Sequence, residues 1–402
     1  MTVFSRVTHP SLLLRSARIV LPHRVAEVAS VLVEDGGIAG VIDAGSTESI
    51  RADSVIDLDG LTLFPGFIDV HIHGAVGVDT MAATSDDLLS VSQFLATQGV
   101  TGWLPTLVPS PVADYEKAIA AIEGSMQQQA EAQRPLGARV LGVHYEGPFM
   151  NAMQCGALRS EHFKTFSEVS DVAALPTPKN QAAVRFMTLA PEIEGGIELV
   201  AELVRRGWVA SIGHSRAAVE VLDRAFAAGA RHMTHFMNAM APFNHRAPGP
   251  VGWGLEREDA TCDIIADGIH LDPLVLRLLL KAKGSDRLLL ISDAIAAAGE
   301  GDGEYNIWGE AISVKNRRTS NSRGSIAGSV ITMLDAVRMM LSLGASEPDV
   351  ASMAATNPAR LLGLDNDCGS IQEGKRADLV ALDPQGSPRL TVIGGSIAFQ
   401  RQ

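Results

Sequence analysis

Between residues 62 and 360, short apolar runs of strand length alternate with helical segments, and few architectures accept that alternation. The runs cover residues 61–70, 101–108, 139–143, 185–189, 208–212, 232–235, 263–266 and 287–291. Strands this short and this uniformly apolar suit a parallel sheet whose two faces are both covered. Helix-start signals sit between them. Thr84 or Ser85, followed by Asp86 and Asp87, caps one helix that closes at Gly99, and Asp272 with Pro273 opens another. Eight such strands, separated by helices, predict a closed (β/α)8 barrel, with side chains at the strand C-termini gathered at one mouth.

The two chain ends read differently. Residues 12–14, 17–21, 31–34, 41–44 and 55–58 are short strand candidates separated by turn signals that include Gly36-Gly37. Residues 377–382 and 390–397 repeat the pattern, broken by Pro384, Pro388 and Gly394-Gly395. Two strand-rich ends around an α/β centre predict that they meet in one small sheet domain; hairpins lying on the barrel surface are the alternative. The expected architecture is therefore α/β: a (β/α)8 TIM-like barrel over residues 63–365, with a small β-sandwich built from residues 1–62 and 366–402. Residues 175–181 and 299–303 read as the longest loops.

The 402 residues are 46% apolar, enough for one barrel-sized domain and a satellite. A formal charge of -13 sets up a field that repels polyanions, so no nucleic-acid or anionic-membrane partner is expected. One small anion remains acceptable where local arginines and histidines gather. Cys155, Cys262 and Cys368 are far apart and form no CxxC pair, which predicts neither a disulfide framework nor a thiolate metal site. Arg6, Arg15 and Arg18 surround an apolar run too short for a signal segment, and a cytoplasmic protein is the expectation.

Polar side chains recur where the apolar runs stop. The first run ends in His71-Ile72-His73; with a side-chain period of two, both imidazoles face the barrel interior. Glu146 ends the third, His214 the fifth and His235 the sixth; the seventh leads to Asp267-Gly268-Ile269-His270, and the eighth to Ser292-Asp293. Any one buried histidine is more often a satisfied core residue than a ligand. Five of 11 histidines at strand C-termini, with a glutamate and an aspartate placed likewise, would be costly unpaired. Imidazole and carboxylate together suit Zn2+ or another borderline divalent ion. His144 and His232 lie further back along their strands and read as core or supporting groups.

Joined in this order, these motifs resemble the amidohydrolase superfamily and, within it, the N-acetylglucosamine-6-phosphate deacetylase family. The resembling segments are PGFIDVHIHG (65–74), HYEGPF (144–149), GHS (213–215), THFMNAMAPFNHRAPGPVG (234–252), DGIH (267–270), SDA (292–294), AGS (327–329), NPARLLGL (357–364) and the stretch 369–380. The 234–252 segment is the most family-specific. The resemblance implies a main metal site at Glu146, His214 and His235, and a second ion at His71 and His73 with Asp293 alongside. Zinc is the expected metal, at one or two ions per subunit, with Fe, Mn or Co as alternatives. None of the seven lysines falls in the fourth run, where many two-metal relatives carry a bridging lysine; the resemblance implies that Glu146 takes the bridging position instead.

By the same resemblance, Asp293 is general base and then general acid, and His270 stabilises the developing oxyanion. Asn238, the backbone of Ala239, and Arg246 would hold a sugar phosphate. The matching arginine reaches the neighbouring subunit's site, which implies a homodimer. The implied reaction is hydrolysis of N-acetylglucosamine 6-phosphate to glucosamine 6-phosphate and acetate. One departure stands out: where the family has Gly-Ala-His, this chain has Gly156-Ala157-Leu158. Leucine donates no hydrogen bond, so a sugar hydroxyl loses its reader unless Arg159 replaces it. That leaves open another N-acyl hexosamine phosphate, such as the galactosamine epimer. From another class, a catalytically inactive barrel scaffold is the alternative, although such proteins typically lose the ligands this chain keeps.

Overall fold

Strands Phe67–Ile72, Val100–Leu107, Gly142–Glu146, Val184–Leu189, Val209–Ile212, His232–Met233, Thr261–Ile265 and Leu288–Ile291 pair in that order, all parallel. This computed structural model describes residues 10–43 and 50–401. Arg6 and Ala44, both cited in the sequence reading, lie outside the described residues, as do parts of the segment 1–62. The ring closes between the first and eighth strands: Asp293 N–H donates to His71 O at 2.9 Å, and His73 N–H to Ala294 O at 2.7 Å. The barrel is thus sewn shut by the residues that carry the polar mouth.

Helices follow the expected boundaries. The helix Ser85–Thr97 starts at a Thr84 cap that forms a reciprocal box with Asp87, and Pro273–Lys283 starts where the Asp272 side chain accepts Leu274 N–H. One buried cluster runs through the barrel strands and the helices packed on them. A separate core, including Leu14, Ile19, Leu63, Leu379 and Val392, sits in an eight-stranded sheet made from both chain ends. There Thr62–Pro65 pairs antiparallel with Leu379–Leu382, so the ends do meet in one sheet, the β-sandwich beside the barrel.

Two differences from the sequence reading have physical reasons. The run 61–70 is not one strand but two, Thr62–Pro65 in the small sheet and Phe67–Ile72 in the barrel. Gly66 makes the transition: a Cβ there would come within 2.2 Å of the Thr101 side chain, so only glycine lets the chain pass. The second difference follows residue 299. Instead of a loop alone, the chain makes a three-stranded antiparallel sheet of Gly303–Ile307, Glu310–Lys315 and Arg318–Asn321. Its first strand is largely exposed and polar, which hides the alternation that an apolar pattern would show.

Candidate metal centre

His71, His73, Glu146, His214, His235 and Asp293 come from five different strand ends and are all at most 7% exposed. Glu146 is central. Its Oε1 lies 2.9 Å from His214 Nε2 and 3.0 Å from His235 Nε2, and its Oε2 lies 3.3 Å from His73 Nε2. His71 Nε2 is 3.1 Å from His73 Nε2, and Asp293 Oδ1 stands 3.4 Å and 3.2 Å from those two nitrogens. Two overlapping donor groups result: Glu146 with His214 and His235, and Glu146 with His71 and His73.

The donor set fits a divalent cation. His214 Nδ1 is 2.7 Å from Gln154 O and His235 Nδ1 is 3.2 Å from Asn238 O, so each Nδ1 donates its hydrogen outward. Their Nε2 lone pairs are then turned on each other across 3.0 Å, beside a carboxylate oxygen. Three acceptors that close need either protons or a cation between them. Without a cation the carboxylates hold protons on the imidazoles. Burial opposes charge at His73, but the Asp293 and Glu146 carboxylates outweigh it and raise its pKa to about 10. His235 is raised to about 9 in the same way, chiefly by Glu146 against burial. Burial alone would favour neutral acids at Glu146 and Asp293, yet the surrounding histidines hold both below the ordinary carboxylate value. A cation of charge two replaces those protons directly. The two groups are not equally braced: the Nδ1 atoms of His71 and His73 are buried with no hydrogen-bond partner among the described residues.

Two carboxylates that the sequence reading did not single out, and two histidines that it did, hold this cluster in place. Asp69, fully buried, accepts the Ser292 hydroxyl at 2.5 Å and the backbone N–H groups of His71 and Ser292 at 3.3 Å. It ties the first strand to the eighth. Burial pushes its pKa up to about 6 even though the Ser292 hydrogen bond opposes the shift. The period-two argument that turned His71 and His73 inward applies to Asp69 as well and could have found it. Asp263 pairs with His232 Nε2 at 2.8 Å and accepts the backbone N–H of His235. His144 is fixed between Val70 O and the Thr188 hydroxyl, at 2.9 and 2.8 Å, so His144 and His232 serve as buried supports.

His214, His235 and Asp293 have φ of 48°, 32° and 50°, a region that side-chain-bearing residues rarely occupy. Such strain persists where surrounding contacts over-determine it. At Asp293 those contacts come from the AGS segment: Ser329 N–H donates to Asp293 O at 2.7 Å and the Ser329 hydroxyl to Ser292 O at 2.5 Å. No helix follows Asp293; residues 296–300 form turns, so the carboxylate is not a helix cap.

Above the cluster lies a cavity of about 320 Å³, lined by His73, Glu146, His214, His235 and Asp293 together with His270, Asn238, Ala239, Leu158 and Trp308. His270 Nδ1 is 2.7 Å from Asp267 Oδ2, which leaves Nε2 free for the cavity. Burial opposes ionisation of Asp267, but hydrogen bonds from His270 and two backbone N–H groups hold its pKa down. Arg159 does not line this cavity. Its guanidinium pairs with Glu161 at 2.8 Å and borders a neighbouring, larger one. Arg246 sits exposed on the loop 241–248, with Nη1 2.9 Å from His245 Nε2, and does not line the cavity of its own chain.

Barrels that collect imidazoles and carboxylates at this mouth act as metal-dependent hydrolases, and this chain is of that class. More narrowly, it belongs to the amidohydrolase family, whose family model matches residues 62–398. It is 36% identical over 392 residues to the N-acetylglucosamine-6-phosphate deacetylase of Bacillus subtilis (strain 168), covering 97% of each chain. It is 35% identical over 371 residues to the N-acetylgalactosamine-6-phosphate deacetylase of Escherichia coli O157:H7, covering 92% of this chain and 94% of that one. The crystal structure of N-acetylglucosamine-6-phosphate deacetylase from Thermotoga maritima superimposes with a TM-score of 0.86 at 32% identity, covering 97% of this chain and 100% of that one.

Proposed function

We propose that this enzyme hydrolyses the N-acetyl amide of N-acetylglucosamine 6-phosphate to glucosamine 6-phosphate and acetate. The observation that carries this reading is one carboxylate, Glu146, set against both histidine pairs, in a chain similar to deacetylases of this substrate over nearly its whole length. Glu146, His214 and His235 would hold the main divalent ion, and His71 and His73 a second, weaker one beside Asp293. The missing Nδ1 partners at His71 and His73 support that ranking. Zinc suits the donors, and Fe, Mn and Co share the preference closely enough that supply decides between them. A divalent ion bound there supplies a water of lowered pKa and polarises the amide carbonyl.

The remaining steps fall to side chains. Asp293, kept ionised by the imidazoles around it, takes a proton from the attacking water as the oxygen bonds to the amide carbon. It returns that proton to the nitrogen as the C–N bond breaks, so the amine leaves neutral and acetate remains. His270 turns Nε2 to the carbonyl oxygen and stabilises the negative charge that builds there, and Asp267 holds the ring in that orientation through Nδ1. Asn238 and Ala239, at the His235 end of the cavity, take the phosphate. Arg246, solvent-facing in its own chain, completes that phosphate site in a neighbouring subunit of a homodimer. None of the three cysteines is disulfide-bonded, which supports a reducing compartment, the cytoplasm. No helix among the described residues is long and apolar enough to cross a membrane.

The galactosamine epimer is a second reading. It is favoured by the 35% identity to an enzyme of that name and by Leu158, an apolar side chain where the resemblance expects a histidine. Steady-state kinetics on both epimers, with and without the 6-phosphate, separates the possibilities. The phosphate is expected to raise kcat/KM about 100-fold, the scale of charge-assisted hydrogen bonds, and Arg246→Ala to remove most of that gain. Equal rates on phosphorylated and free sugar would end the Arg246 assignment. A preference for the galactosamine epimer would replace the first reading by the second.

A further inference from the structure

Trp308 occupies a position where its side chain is expensive to place. The strands Gly303–Ile307 and Glu310–Lys315 are joined through Trp308-Gly309, with φ of 54° and 75°. Two successive positive φ values make the tight hairpin turn that Asn-Gly or Gly-Gly fills without strain. A bulky aromatic at φ 54° is an outlier, and such outliers cluster where a side chain is needed in one spot. Here the spot is specific. The hairpin tip lowers the indole edge-on against His73, with ring centroids 5.0 Å apart at 78°, and packs it on the small cluster of Val108, Met150 and Leu158.

Trp308 and Leu158 line two cavities at once. On one side is the 320 Å³ cavity over the metal centre; on the other is a space of about 810 Å³ bordered by Asp79, Met81, Lys117 and Arg159. The two side chains are the partition. Their place relative to the chemistry follows from the loop that carries Leu158. Its Gly156 end lies against His214 and Ala239, since a Cβ on Gly156 would sit 3.7 Å and 3.8 Å from them, whereas its Leu158 end meets Trp308. The cavity therefore runs from Asn238 and Ala239, past the ligand cluster, to Trp308 beside His73. With the sugar phosphate at the Ala239 end and the scissile amide over the cluster, the substituent on the amide carbon opposite the amine points at the Trp308 end.

We propose that Trp308, backed by Leu158, is the end wall of the acyl subsite and restricts the enzyme to short N-acyl groups, with a ready-made second compartment behind the wall. This rests on the deacetylase reading above. A residue that merely braces the hairpin would affect all acyl lengths alike, whereas a wall affects them unequally.

The test compares kcat/KM for N-acetyl-, N-butanoyl- and N-hexanoyl-glucosamine 6-phosphate in the metal-loaded wild type, Trp308→Gly and Trp308→Phe, with metal content measured in each. Glycine suits the turn, so the first variant opens the wall without burdening the hairpin. The expected result is that wild type prefers acetyl, that Trp308→Gly shifts the acetyl-to-hexanoyl ratio at least about 10-fold toward the longer chain, and that Trp308→Phe keeps the wild-type ratio. Equal loss on all three substrates in Trp308→Gly at unchanged metal content would overturn the proposal. So would loss of acetyl turnover in Trp308→Phe as deep as in Trp308→Gly, because the indole N–H, which phenylalanine lacks, would then carry the effect rather than the bulk of the wall. A wild type inactive on every one of these sugars would instead strike down the deacetylase reading itself.

Discussion

Asp293→Asn lowers kcat about 1000-fold while leaving the metal bound at Glu146, His214 and His235, because the substitution removes a proton acceptor and little else. Asparagine matches aspartate in shape and is among the few side chains that tolerate a φ near 50°, so the turn held by Ser329 survives. The lost group is the one able to carry a proton from water to the leaving amine. Its carboxylate oxygen touches the His71 and His73 side of the cluster and not the His214–His235 side, so the main ion has no reason to leave. Rate measurements alongside elemental analysis check both halves. Turnover within 10-fold of wild type, on the scale of general acid–base effects, would remove Asp293 from the acid–base role.

The second large effect concerns Glu146, which belongs to both donor groups, whereas His214 belongs to one. Glu146→Ala should empty both positions and take activity to background, leaving buried imidazoles with no charge to balance. His214→Ala should reduce occupancy chiefly at the Glu146–His214–His235 group, with a correspondingly large fall in rate. Metal content per chain, measured at matched reconstitution, distinguishes them. Full metal content in Glu146→Ala would mean that the carboxylate only neighbours the site.

Much of this was legible in the chain. Side-chain period alone turns both histidines of His71-Ile72-His73 to one face, and a barrel then brings that face to His214 and His235, which lie more than a hundred residues on. The apolar strands announced themselves because each is buried on both sides. What was hidden had different causes. Asp69 and Asp263 look like ordinary strand polar residues until their partners, the Ser292 hydroxyl 223 positions away and the His235 N–H 28 positions away, are brought beside them on neighbouring strands. The sheet at residues 303–321 carries a polar, exposed first strand, and its Trp308-Gly309 turn uses a residue that turn chemistry disfavours. Functional strain conceals itself from local rules for this reason: the local rule is what is being broken. Arg159, the suggested replacement for the absent histidine, illustrates the opposite limit, because a guanidinium one residue away in sequence faces a different cavity.

The account stands on a cation shared by side chains from separate strands. Anomalous scattering from crystals of metal-reconstituted protein, recorded on both sides of the metal's absorption edge, locates such an ion without reference to activity. The expected result is a strong peak between Glu146 Oε1, His214 Nε2 and His235 Nε2, with a weaker one toward His71 and His73. A fully reconstituted protein with no peak there, or with its peak elsewhere, would contradict the account.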